Sequence, residues 1–193
     1  MATSEITASG RATLLGKLLG GRVIVFVGLM GAGKTAIGRR VAAATGLPFA
    51  DSDQEIEKAS RMSVADLFET YGEEEFRSLE QRVIARLLQE GPAVLATGGG
   101  AFMNDDTRAA IGRAGVSVWL KADIDTLMAR VVKKQTRPLL KTDDPKAVME
   151  KLMALRHPVY AAADIMVNTR DDRREIIADE VIAAIVAHLE RSR

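Results

Sequence analysis

A chain of 193 residues, 47% hydrophobic and 27% charged with a mean hydropathy of +0.02, has the balance of one soluble globular domain with a real core, which excludes disorder and collagen-like repeats. Its formal net charge is +1, from 27 basic and 26 acidic residues, so no global field recruits nucleic acid or an anionic membrane, and any anion site has to be local. The absence of cysteine excludes a disulfide framework and thiolate metal sites and fits a reducing, cytoplasmic compartment, and no apolar run reaches the roughly eighteen residues of a membrane span.

The first 22 residues, "MATSEITASGRATLLGKLLGGR", are rich in Ser, Thr, Gly and Ala. Their apolar stretch is interrupted by Gly16 and Lys17, which argues against a signal peptide and for a flexible or docked extension, leaving residues 23–193 as a single domain. Val23–Val27, "VIVFV", is the first expected strand. Directly after it, "GLMGAGKT" (Gly28 to Thr35) matches G-x-x-x-x-G-K-[ST] and opens a helix expected over Thr35–Thr45, which Gly46 and Pro48 end. That placement is what a phosphate cradle needs. Glycines let successive N–H groups converge on phosphate oxygens, the helix N-terminus adds its positive dipole end, Lys34 pairs with the β and γ phosphates, and the Thr35 hydroxyl ligates Mg²⁺.

A short strand at Pro48–Ala50 leads into "DSD", Asp51 to Asp53. In a parallel sheet that end faces the same rim as the phosphate loop. The two carboxylates can do different work, one serving a magnesium-bound water and the other a hydroxyl, while a helix N-cap at Ser52 or Asp53 is the plain structural reading. Glu73–Gln89 then carries Phe76, Leu79, Val83, Ile84, Leu87 and Leu88 on one side, the mark of a long helix, before Gly91 and Pro92. Arg77 lies in it, with Glu80 three residues on as a possible ion-pair partner.

The third strand, Ala93–Ala96, runs into Thr97 and three glycines, Gly98, Gly99 and Gly100. Thr97 stands where many phosphate-loop ATPases place an acidic magnesium ligand, which moves the metal role to Thr35 and Asp51. The glycines are expected to form a floor whose backbone N–H groups contact a small acceptor. Strands at Val116–Leu120 and Ile165–Val167 complete five; apart from the short second one, none alternates, as strands buried on both faces should not. Between the last two, "KKQTRPLLKTDDP" has no clean period and reads as a mobile loop, a lid over about 131–145 that contains Arg137. Arg156 follows in "RHPVY", and Ile176, Ile177, Val181, Ile182, Ile185, Val186 and Leu189 mark a C-terminal helix. This alternation of strands and helices predicts an α/β fold with a five-stranded parallel sheet between helix layers.

Taken together, "GLMGAGKT", "DSD", "GEEEFRSLE", "ATGGGA", "RPLL" and the R-x-x-x-Y of "RHPVY" resemble the shikimate kinase family in order and spacing over residues 23 to about 170. The resemblance implies a three-layer P-loop kinase fold, similar to nucleoside monophosphate kinases, with a lid and an acceptor-binding region. It implies transfer of the γ-phosphoryl group of MgATP to the 3-hydroxyl of shikimate, on the route to chorismate and the aromatic amino acids. By position, Asp53 binds the ring hydroxyls and is the candidate base, Arg77 and Arg156 hold the shikimate carboxylate, and Gly98, Gly99 and Gly100 lie along the acceptor. Thr35 and Asp51 serve one Mg²⁺. Gly31, Ala32, Gly33, Lys34, Thr35 and Ala36 cradle ATP, Lys34 and Arg137 stabilise the transferring phosphoryl group, and Arg130 lies against the adenine. The expected partners are shikimate and ATP, without nucleic acid or membrane, and the chain is expected to act as a monomer. Thr35 departs from the Ser frequent in the family, and "VNTRDDR" departs from its adenine-side motif, so Arg170 and Arg173 carry no assignment. Two rivals are a gluconate-type sugar-acid kinase, disfavoured by the glycine triplet and "EEEFR", and a nucleotide-dependent switch that binds a protein partner through residues 1–22.

Overall fold

Strands at Val23–Val27 (β1), Phe49–Asp51 (β2), Val94–Ala96 (β3), Gly115–Lys121 (β4) and Ile165–Asn168 (β5) pair in parallel throughout, in the order β2-β3-β1-β4-β5. The computed structural model describes residues 8–132 and 144–192, with side chains from Thr13 to Val131 and from Asp144 to Ser192. Helices occupy Ala8–Leu19 (α1), Lys34–Thr45 (α2), Ser52–Ser60 (α3), Val64–Leu87 (α4), Asp105–Ala114 (α5), Ile124–Val132 (α6), Pro145–Tyr160 (α7) and Arg174–Arg191 (α8). All five strands expected from the sequence form, with ends shifted by a residue or so, because hydrogen bonding rather than composition sets the last paired residue.

β1 is buried along its whole length and sits at the centre, with Ile24 opposite Val94 on one side and Val116 on the other. Its neighbours β3 and β4 carry the chain away in opposite directions, which opens a crevice beyond the C-terminal end of β1. Residues 28–35 occupy that crevice. Ser117, within β4, is buried but satisfied: its N–H and hydroxyl donate to Asp164 Oδ2 at 2.8 and 2.6 Å. β5 departs from expectation. It lies at the sheet edge and alternates, with Ile165 and Val167 buried and Met166 52% exposed, because only one face of an edge strand is covered here.

α4 is longer than the expected helix and is broken at Gly72, whose φ of 80° and ψ of 175° are not helical. The expected Glu73–Gln89 helix is its second part. The first part starts at Ser63, whose hydroxyl accepts from the Asp66 N–H at 3.1 Å. The expectation of a flexible N-terminal extension needs correction over Ala8–Leu19. That stretch is α1, packed on α2 and α8 with Leu15, Leu18 and Leu19 buried in the common core. Arg22 closes its end by donating to the carbonyls of Leu19 (3.0 Å) and Leu18 (3.3 Å), groups a helix terminus otherwise leaves unpaired. With those leucines engaged in the chain's own core, a switch that offers them to a protein partner has lost its surface. Most of the expected lid, and Arg137 with it, lies outside the described residues.

Candidate active site

The phosphate loop is shaped by two left-handed glycines, Gly31 (φ 84°) and Gly33 (φ 99°). A side chain at Gly31 would also lie 2.8 Å from Val131 and 3.0 Å from the Leu127 carbonyl, so the loop is seated against α6. Gly33 is the N-cap of α2 and offers no side-chain acceptor, which leaves the first N–H groups of the helix available to an anion. Lys34 Nζ donates to the carbonyls of Gly28 (2.6 Å) and Leu29 (2.9 Å), which holds the ammonium over the mouth of the loop. Arg130 approaches from α6. It donates to the Gly31 carbonyl (3.3 Å), the Thr169 hydroxyl (3.4 Å) and the Arg170 carbonyl (2.6 Å), tying the phosphate loop to the segment after β5.

Thr35, at the start of α2, and Asp51, at the end of β2, are sixteen residues apart in sequence and meet at the C-terminal rim of the sheet: the Thr35 hydroxyl donates to Asp51 Oδ2 at 2.8 Å. Asp51 Oδ1 accepts from the Asp53 N–H at 3.1 Å, so Asp51 ends β2 and caps α3. That corrects the cap reading: the N-cap is Asp51 rather than Ser52 or Asp53. The two carboxylates diverge through a strand-to-helix turn, whereas residues two apart in extended chain would share a face. Among the described residues no three His, Cys, Asp or Glu side chains cluster. A hydroxyl beside a single carboxylate nevertheless suits Mg²⁺, which prefers hard oxygen ligands and keeps water and phosphate oxygens for its other positions.

None of Gly98, Gly99 and Gly100 has a positive φ, so the triplet is not there for backbone freedom. It is there for room. A methyl group at Gly98 would lie 2.5 Å from Glu80 Oε1 and 2.9 Å from Asp53 Oδ1; one at Gly100 would fall on the Arg77 guanidinium. At Gly99 the nearest atom would be Arg156 Nη1, at an ordinary 3.4 Å. Asp53, Arg77 and Arg156, named from the sequence, thus converge on the triplet from α3, α4 and α7. The Gly98 N–H is not free for an acceptor, since it donates to Ser52 Oγ at 3.0 Å.

Three further groups act here. Ser52 is fully buried and links the acidic turn to the triplet. Glu80, 2% exposed, accepts from Arg77 at 2.7 Å through Oε2, while Oε1 has no hydrogen-bond partner among the described residues. Burial pushes the Glu80 carboxyl above its ordinary range, Arg77 pulls it back and the Asp53 charge adds to the rise. Tyr160, one turn after Arg156 on α7, donates its hydroxyl to the Gly99 carbonyl, and Arg156 Nη1 donates to the same oxygen at 3.0 Å. Burial pushes the Tyr160 hydroxyl up to about 12, so it stays protonated. The R-x-x-x-Y spacing carried this signal, because residues four apart share a helix face. Ser52 had only its burial to announce it, which a sequence does not print.

A family model described as shikimate kinase matches residues 30–186. The chain is 67% identical over 177 residues to a shikimate kinase of Mesorhizobium japonicum, covering 92% of this chain and 87% of the relative, and 59% identical over 177 residues to one of Brucella canis, covering 92% and 88%. A solved structure titled shikimate kinase from Acinetobacter baumannii in complex with shikimate superposes with a TM-score of 0.85 at 32% identity, covering 90% of this chain and 97% of that one. The phosphate cradle, the parallel sheet that places it and the charged side chains packed around three glycines therefore have one consistent source: the chain belongs to the shikimate kinase family.

Proposed function

We propose that the protein transfers the γ-phosphoryl group of ATP to the 3-hydroxyl of shikimate, giving shikimate 3-phosphate and ADP in aromatic amino acid biosynthesis. The observation that carries this reading is the convergence of Asp53, Arg77 and Arg156 on Gly98–Gly100, next to a complete phosphate loop. Two arginines suit a carboxylate, which accepts paired charge-assisted hydrogen bonds. Asp53 suits a hydroxyl, accepting its proton or orienting its lone pair toward phosphorus. The triplet supplies close approach and the donor N–H groups of Gly99 and Gly100. An acceptor that is both an acid and an alcohol matches this set of groups.

On the nucleotide side, the amides of residues 31–36 and Lys34 bind the phosphates, and Arg130 is assigned to the adenine from the family resemblance. Thr35 and Asp51 would hold Mg²⁺, which when bound offsets negative charge between the β and γ phosphates. Lys34 must leave the Gly28 and Leu29 carbonyls to meet a phosphate oxygen, a short swing of a flexible stem. Arg137 is assigned to the transferring group from the family resemblance alone, and Arg137→Ala is expected to lower kcat far more than acceptor affinity. Every side chain in this set comes from a single chain, which supports action as a monomer, and a dependence on ATP supports a cytoplasmic setting.

The direct test is ADP release from MgATP with shikimate, gluconate or buffer alone. Turnover with shikimate only is the expected result. Equal slow hydrolysis in all three would retain the nucleotide site and remove the acceptor.

A further inference from the structure

Three consecutive peptide planes run through the glycine triplet, and each is held by a group outside it. In a trans peptide the C=O of one residue and the N–H of the next lie antiparallel in one plane, so fixing either fixes both. The Thr97–Gly98 plane is held by Ser52 Oγ, which accepts the Gly98 N–H at 3.0 Å. The Gly98–Gly99 plane is held by the Ala101 N–H, which donates to the Gly98 carbonyl at 3.3 Å. The Gly99–Gly100 plane is held by Tyr160 and Arg156, both donating to the Gly99 carbonyl. The Gly100 carbonyl accepts from the Met103 N–H at 3.0 Å.

This leaves an asymmetry. Every carbonyl of the triplet is paired and the Gly98 N–H is paired, whereas the N–H groups of Gly99 and Gly100 meet no acceptor among the described residues. Gly100 is buried, and a buried N–H without a partner costs free energy. Glycine peptides also rotate easily, so without external restraint these two donors would not keep one direction.

We propose that Tyr160 and Ser52 are positioning residues that clamp the peptide planes flanking Gly98–Gly99, Tyr160 the following plane, which carries the Gly100 N–H, and Ser52 the preceding one, so that the Gly99 and Gly100 N–H groups stand ready as paired donors for the acceptor. The inference rests on the reading that the acceptor lies against the triplet. Tyr160 is suited to the task. Its ring packs among Phe102, Trp119 and His157, and its hydroxyl is held protonated by burial, so it donates across the working pH range. Ser52 instead accepts, from the Gly98 N–H, with a hydroxyl anchored in the first turn of α3, one residue from each aspartate.

Tyr160→Phe keeps the ring and removes only the donor; Ser52→Ala removes the acceptor, and Ser52→Thr restores a hydroxyl. Steady-state kinetics in both substrates, with the thermal midpoint of each variant, test the proposal. Tyr160→Phe and Ser52→Ala are expected to raise the acceptor KM about three- to tenfold each, the range of one lost hydrogen bond, while the ATP KM stays within about twofold; Ser52→Thr is expected to recover most of the loss. An unchanged acceptor KM in Tyr160→Phe and Ser52→Ala overturns the proposal, and so does a parallel loss for both substrates that tracks the thermal midpoint. Arg77→Ala serves as the reference for the acceptor reading. If it raises the acceptor KM and Tyr160→Phe and Ser52→Ala do not, only the clamp is wrong; if all three leave it unmoved, the acceptor does not bind at the triplet.

Discussion

Glu80 and Arg77, one turn apart on α4, form an ion pair at 2.7 Å in which the carboxylate is buried and the guanidinium lies against Gly100. The pair sets where Arg77 can reach, and it also makes that reach sensitive to pH. Burial raises the Glu80 carboxyl above 4.5, against the pull of Arg77. As pH rises through that raised value the carboxyl ionises and the pair forms, so acceptor affinity is expected to increase across the weakly acid range and then level off. Glu80→Gln should weaken acceptor binding and lose that acid limb, read from the acceptor KM between about pH 5 and 8. The stability effect has the opposite sign: the folded state holds this proton more tightly than the unfolded chain, so Glu80's contribution falls as pH rises from 4.5 to the raised value. Thermal midpoints of the parent chain and Glu80→Gln across that window should converge toward acid.

Asp53 lies against Gly98, beside the triplet. Asp53→Asn keeps the shape and removes the charge and the proton acceptor. It is expected to abolish transfer, a loss of at least about a hundredfold in kcat, with nucleotide binding nearly intact. Near-normal turnover would remove Asp53 from the reaction.

In the proposed function Thr35 and Asp51, in contact at 2.8 Å, serve one Mg²⁺. Asp51→Ala should shift the magnesium concentration for half-maximal rate upward by about tenfold or more, and it also removes the cap on α3, worth about 1 kcal/mol of stability. A magnesium titration separates the two effects, because excess metal restores rate and does not restore the cap.

Alanine at Gly98 and at Gly99 should behave differently even though the residues are adjacent. At Gly98 the added methyl meets Glu80 and Asp53 at 2.5 and 2.9 Å, so both the thermal midpoint and the rate should fall. At Gly99 the nearest atom is 3.4 Å away, and the fold should tolerate the methyl while acceptor binding suffers from its intrusion on the floor. Equal thermal midpoints for the two variants would contradict this assignment.

Leu15 of α1 is fully buried against the core. Leu15→Ala should destabilise the protein by about 2–5 kcal/mol in urea denaturation, the cost of an unfilled core site. A change below about 0.5 kcal/mol would mean that α1 adds nothing to the cooperative unit.

What the sequence by itself determined was whatever is local in the chain. β1 and "GLMGAGKT" are contiguous, so apolar composition and glycine spacing sufficed to predict the buried strand, the cradle and the helix that follows. The same holds for α8 and the second half of α4, where a 3.6-residue period runs uninterrupted. Asp53, Arg77 and Arg156 were legible through their motifs, as residues without yet a common place.

The tertiary structure alone decided what each of them touches. Parallel strands pair only after long crossovers, so the contact of Thr35 with Asp51, and of Ser52 with a glycine 46 residues on, has no trace in neighbouring letters. The glycine triplet is the clearest case. Read in sequence, it suggests a bare floor for a small acceptor; in the fold its φ values are ordinary and its bareness makes space for four charged side chains arriving from three helices. The alternation of β5 and the docking of α1 were likewise settled by what covers each face, and burial is a property of the packed chain rather than of the residue.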